Sequence, residues 1–221
     1  MADATTEPEK VPAAARKQRR STLAHTAESD RTATPDDYKH VLSVNHIYNL
    51  PFGRGQRFAE SGLWSSILGG WQFTGIWSAE SGSRFTPYLS ANVSNSAGGG
   101  NQRPNRIGNG MLPAGQRTIQ HWFNTADFVA PPQYTYGNAG TGMLTGPGYF
   151  DADPGLFRSF PMPRDTMLTF RSEWFNAFNH ANFAAPNATI GTPTAGVISS
   201  TAPGPGGTSP RVVQLAVKYV F

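Results

Sequence analysis

The chain has no cysteine in its 221 residues. That excludes a disulfide framework and a thiolate metal site. Charge is also scarce: Asp, Glu, Lys and Arg make up 14%, against about 25% in a typical soluble protein. No run approaches the roughly 18 apolar residues that a membrane-spanning helix requires. The first residues lack the apolar core of a secretory signal. There is no Gly-x-Ser-x-Gly elbow and no phosphate-binding glycine loop, so no enzyme activity is expected. Glycine (24) and proline (18) abound instead, which favours turns and loops over helices.

The few charges are unevenly spread. Residues 1–40 hold seven acids and seven bases, and the net charge of +4 falls on the remainder. Residues 1–37 therefore read as a separate, disordered polar tail, and 38–221 as the folded part. The cluster Arg16-Lys17-Gln18-Arg19-Arg20 has acids around it and no interleaved aromatics. It reads as a solvated tail, with no nucleic-acid partner.

The folded part carries an alternating pattern. At the end, Leu215, Val217, Tyr219 and Phe221 alternate with Gln214, Ala216, Lys218 and Val220. That is a strand with one apolar face ending on an aromatic residue, as in the closing strand of an outer-membrane barrel. The same period predicts strands at 40–50, 71–88, 149–160, 166–178 and 211–221. Leu63–Leu68 reads as a helical piece before Gly69-Gly70. Residues 90–148 and 176–210 read as long loops, and Met162-Pro163-Arg164-Asp165 as a tight turn. Short connections alternating with long ones suit the periplasmic and extracellular sides of a barrel. The expected fold is all-β: an antiparallel transmembrane β-barrel fragment of about five strands, forming an open curved sheet. A barrel strand shows lipid every second residue. The membrane-facing set is then Leu42, Val44, Phe73, Trp77, Leu168, Phe170, Trp174, Val217 and Tyr219.

Several segments also resemble a family. They are Asn49-Leu50-Pro51-Phe52-Gly53, Gly69-Gly70-Trp71-Gln72-Phe73-Thr74-Gly75, Glu80-Ser81-Gly82, Arg117 to Asn124, Gly137-Asn138-Ala139-Gly140, Phe175 to Phe183 and Arg211 to Phe221. Together they look like the C-terminal barrel of TonB-dependent receptors, in the Oar-like, carboxypeptidase-regulatory-like subgroup common in acidobacteria. The resemblance covers residue 38 to the end. It implies an outer-membrane transporter that imports a large solute, with TonB acting through a plug domain. The family's signal peptide, TonB box and plug are not in this sequence, and residues 1–37 do not resemble the family. The chain is thus expected to be a fragment that does not transport alone. The resemblance makes Leu215, Val217, Tyr219 and Phe221 a signal for the barrel assembly machinery, and outer-membrane lipid the other partner. Pro154 departs from the pattern by interrupting an expected strand.

Other features have plainer readings. His25, His40, His46, His121 and His180 have no metal-type spacing and read as polar loop or lumen residues. Asp151-x-Asp153-x-Gly155 has the look of a calcium loop but no later acidic ligand. Arg171 and Glu173 read as a lumenal charge pair. Tyr48, Trp71, Trp77, Trp174, Tyr219 and Phe221 read as interface aromatics. Trp122, Phe123, Tyr134 and Tyr136 are the candidate solute contacts, with loop packing as the plainer role. No cofactor and no metal is expected. The rival reading is a secreted, soluble β-sandwich that binds glycan through loop aromatics.

Overall fold

A computed structural model describes residues 37–59, 61–95, 101–202 and 210–221. The polar tail expected at 1–37 lies almost wholly outside the described residues. In chain order the strands are β1 (Val41–Asn49), β2 (Trp71–Glu80), β3 (Arg84–Phe85), β4 (Tyr88–Leu89), β5 (Asn105–Arg106), β6 (Phe128–Val129), β7 (Leu144–Thr145), β8 (Tyr149–Met162), β9 (Thr166–Phe175), β10 (Thr189–Ile190) and β11 (Val212–Val220). Among the described residues one α-helix, α1, spans Gly62–Leu68. The chain divides into two compact units.

The larger unit takes in residues 37–83, 145–186 and 198–221. Its frame is a five-stranded sheet in the order β1-β2-β8-β9-β11, with every pair antiparallel. Among the described residues β1 and β11 are unpaired on their outer sides, so the sheet is open. It is a segment of barrel wall, and among the described residues this unit holds no second sheet facing it. That excludes the sandwich, which needs two facing sheets over one core. The strands form where alternation is cleanest, because each residue then has one environment on each side of the sheet.

Connections at the two ends of the sheet differ. At one end, β8 and β9 are joined by Pro163-Arg164-Asp165, with Arg164 at φ 63° and Asp165 at φ 56°. Two successive left-handed residues match the twist of a tight hairpin. The β1–β2 connection lies at the same end and contains α1. It folds back through a Phe52–Phe58 bridge, with Gly53 at φ 110°. A Cβ on Gly53 would stand 2.7 Å from the Gly69 Cα, so this close approach requires glycine. The other end carries the two long connections, from β2 to β8 and from β9 to β11.

Pro154 does not break β8. The strand runs through it, with Gly75 opposite on β2. The ladder to β9 instead ends at the pair Gly155 and Glu173. Beyond that point the segment after β9 takes over. The Asn176 backbone N–H donates to Asp153 Oδ1 (2.8 Å) and the Ala177 N–H to the Ala152 carbonyl (2.9 Å). The buried Asn182 side chain accepts from the Phe150 N–H (2.8 Å) and donates to the Phe150 carbonyl (3.0 Å). The Ala177 backbone N–H and the Asn182 side chain thus take the place of a neighbouring strand where proline makes a regular one costly.

The smaller unit is built from the long connections, residues 84–144 and 187–197. Its core is Phe85, Phe123, Phe128, Ala139, Leu144, Ala188 and Ile190. Phe123 packs edge-on against both Phe85 (5.6 Å) and Phe128 (6.0 Å). β4 pairs in parallel with β10, and β5 antiparallel with β6. Two expectations are corrected here. The second wall strand ends at Glu80 and does not run to 88, because Tyr88 and Leu89 pair with Thr189 and Ile190. Residues 101–144, expected as loop, carry short elements and contribute Phe123, Phe128, Ala139 and Leu144 to a core.

Candidate membrane face and lumenal wall

In-register partners across a sheet share a face, so the pairing assigns every side chain. One face carries Leu42, Val44, His46 and Tyr48 of β1, and Trp71, Phe73, Gly75, Trp77 and Ala79 of β2. β8 adds Phe150, Ala152, Pro154, Leu156, Arg158, Phe160 and Met162. β9 and β11 add Leu168, Phe170, Ser172 and Trp174, and Val213, Leu215, Val217 and Tyr219. All nine residues of the expected membrane-facing set lie on this face, and none is buried. So does Leu215 of the assembly set; Phe221 follows β11, its ring 6.3 Å from that of Tyr219.

The opposite face is mixed and carries most of the sheet's polar side chains, alongside Val41, Ile47, Ile76, Phe157, Met167, Phe175, Val212 and Val220. It presents Ser43, Asn45 and Asn49, then Gln72, Thr74, Ser78 and Glu80, then Asp151, Asp153 and Ser159, then Thr169, Arg171 and Glu173, then Gln214 and Lys218. Arg171 Nη2 donates to Glu173 Oε1 at 2.8 Å, and the guanidinium lies 5.1 Å from the Phe157 ring centroid. Gln72 Nε2 donates to Asn49 Oδ1 (3.0 Å), and Ser159 and Thr169 join hydroxyls at 3.0 Å. A cavity of about 510 Å³ opens where the β8–β9 ladder stops, lined from both faces, by Asn45, Thr74, Asp153 and Glu173 on this one and by His46, Pro154 and Trp174 on the other. Among the described residues no group of three or more His, Asp or Glu stands in metal-binding geometry. Asp151 and Asp153 are instead engaged with Tyr149 Oη and the Asn176 N–H.

Aromatics gather toward both ends of the apolar face. Tyr48, Trp71, Phe160 and Tyr219 stand near the end with the short turn; Trp77, Phe150 and Trp174 stand toward the other. That is the placement of the two girdles of a membrane barrel. His46 departs from the reading that histidines are loop or lumen residues: it sits on the apolar face. Its Nδ1 accepts from Trp77 Nε1 (3.2 Å), and the ring lies 5.0 Å from that of Phe73. Gly75 opposite leaves room, since a Cβ there would meet His46 Cε1 at 2.5 Å. A histidine with its ring nitrogen satisfied by indole is tolerable in an apolar setting. Its alternation with Val44 and Tyr48 was the available signal.

The loop aromatics divide. Phe123 is 2% exposed in the core of the smaller unit, so it is packing and not a solute contact. Trp122 is partly buried against that core, with the Arg117 guanidinium 5.8 Å from its ring. Tyr134 and Tyr136 are exposed. The β8 residues Phe150, Leu156 and Phe160 were missed as members of the apolar face, because Pro154-Gly155 obscured their alternation.

Residues 10–214 match a family model described as an outer membrane beta barrel domain. The match spans most of the chain and begins within the segment set apart on composition. The chain belongs to this family and is an outer-membrane β-barrel protein. No match was found among curated proteins or among solved structures.

Proposed function

We propose that the chain forms the C-terminal wall of an Oar-like TonB-dependent transporter, whose complete barrel imports a large solute. The observation that carries this reading is the apolar face and polar face of one open sheet, with both long connections at one end. Such a wall segment leaves two strand edges to be paired, and a transporter barrel of about 22 strands supplies them. The segments Gly69 to Gly75 and Phe175 to Phe183 support the subgroup. The polar face lines the plugged lumen and the chain catalyses no reaction. Leu215, Val217, Tyr219 and Phe221 present the strand read by the assembly machinery. Tyr134, Tyr136 and the rim of Trp122 are the solute contacts in the long loops.

The size of the native polypeptide tests this. An antibody against residues 101–136, applied to outer membranes of the source cells, should detect a heat-modifiable species several times heavier than 23.8 kDa. A membrane species of 23.8 kDa alone would refute the transporter reading while leaving the barrel family intact.

A further inference from the structure

Helix α1 is amphipathic in the wrong sense for water. Its buried residue is Ser65, while Leu63, Trp64, Ile67 and Leu68 are 80%, 66%, 54% and 39% exposed. Residues i, i+1, i+4 and i+5 share one helix side, so these four form one apolar stripe. The small side is pressed inward: the Gly69 N–H donates to the Ser65 carbonyl (3.1 Å), and Gly69 lies against Gly53. Phe58, just before the helix, is exposed as well.

The helix is bolted to the apolar face of the sheet. Trp71 Nε1 donates to the Ile67 carbonyl at 2.9 Å. The Arg158 guanidinium donates to the Ser66 and Ile67 carbonyls. Trp71 and Arg158 are direct cross-strand partners on that face, and Arg158 stacks over Phe160 at 4.1 Å. A cation at the carbonyl end of a helix is favourable, which fixes the helix beside the aromatic girdle. Arg54 and Arg57 are exposed in the same connection, whose charges (Arg54, Arg57 and Glu60) sum to positive.

We propose that α1 is an interfacial anchor: its Leu63, Trp64, Ile67 and Leu68 stripe lies in the headgroup–acyl boundary of the leaflet at the short-turn end, with Arg54 and Arg57 at lipid phosphates. The helix is held at its carbonyl end by Trp71 and Arg158, which share the sheet's apolar face with Tyr48 and Tyr219. A short helix of this kind buries about 5–10 Å into the boundary and does not span. The inference rests on the membrane placement of the sheet and not on the transporter reading. Its occupant is phospholipid, because the helix is tied to Trp71 and Arg158 of the lipid-facing sheet side and the exposed Arg54 and Arg57 lie in the same connection.

The absence of native cysteine makes the test clean. Single variants Trp64→Cys, Ile67→Cys and Ser66→Cys of the full chain, with Leu215→Cys as a sheet control, carry an environment-sensitive fluorophore. They are reconstituted in phosphatidylcholine vesicles containing phosphatidylglycerol. Labels at 64 and 67 should emit at shorter wavelength than at 66. A spin label placed high on the acyl chain should quench them more than one placed deep, whereas the 215 label should prefer the deep quencher. A quenched 215 label with water-exposed 64 and 67 labels overturns the anchor but keeps the membrane sheet. A water-exposed 215 label overturns both. Protection at 64 and 67 that vanishes on dilution, without lipid quenching, assigns the stripe to a second copy of the chain and also overturns the proposal.

Discussion

Val217→Arg separates a lipid-facing sheet from a water-facing one. Val217 stands near the middle of β11, opposite Phe170, and is 66% exposed. It touches little else in the chain. In water the substitution should shift stability by no more than about 0.5 kcal/mol. At the bilayer midplane an arginine costs about 2–4 kcal/mol. At tenfold per 1.4 kcal/mol, that lowers the folded-to-unfolded ratio by about 30-fold to 700-fold. Gln214→Arg is the control: it lies on the polar face opposite Glu173 and should stay within about 0.5 kcal/mol. Val217→Ala isolates the lost methyl groups from the added charge. Denaturant titration of the chain folded into vesicles, followed by tryptophan emission, gives all three values. Equal costs for the two arginine variants would refute the assignment of faces.

Phe123→Ala should remove about 3–5 kcal/mol from the loop unit, since its ring fills the core between Phe85 and Phe128. Limited proteolysis should then cut within residues 84–144 far faster, while Tyr134→Ala changes little. Gly75→Ala should cost about 1–3 kcal/mol by crowding His46 and Trp77. Adding His46→Ala should recover part of that loss, and strict additivity in a double-mutant cycle would count against the contact. If the long connections are extracellular, protease added to intact cells should cleave after the exposed Arg106. Cleavage only after the outer membrane is permeabilised would reverse the sidedness.

The wall was legible in the sequence and the loop unit was not, for one physical reason. A strand with two environments writes its faces into consecutive residues, so the bounds of β1, β8, β9 and β11 could be read to within a few positions, whereas β2 was read eight residues too long, through Ser81-Gly82-Ser83 into β3 and β4. The faces of β8 were harder, because Pro154-Gly155, read as an interruption, sits where the ladder passes from β9 to Asn176, Ala177 and Asn182. The core of the loop unit is assembled from Phe85, Phe123, Phe128, Leu144 and Ile190, which lie on separate short elements. No period links them. Side-chain bonds such as Asn124 Nδ2 to Asp127 Oδ1 (2.9 Å), and Asp127 Oδ2 accepting from the Gly110 N–H (2.8 Å), hold the turns between them. Helix α1 was visible as an apolar piece, but only the structure shows that its apolar side faces outward.

The central claim is that each wall strand shows lipid on one side and water on the other. A cysteine scan of β9 from Thr166 to Phe175, in the membrane-inserted protein, tests it most directly. Each variant is read for reaction with a membrane-impermeant maleimide from the lumenal water and for quenching by spin-labelled lipid. The account predicts a period of two: Leu168, Phe170 and Trp174 positions quenched and unreactive, Thr169, Arg171 and Glu173 positions reactive and unquenched. Uniform reactivity along the strand, or the opposite phase, would contradict it.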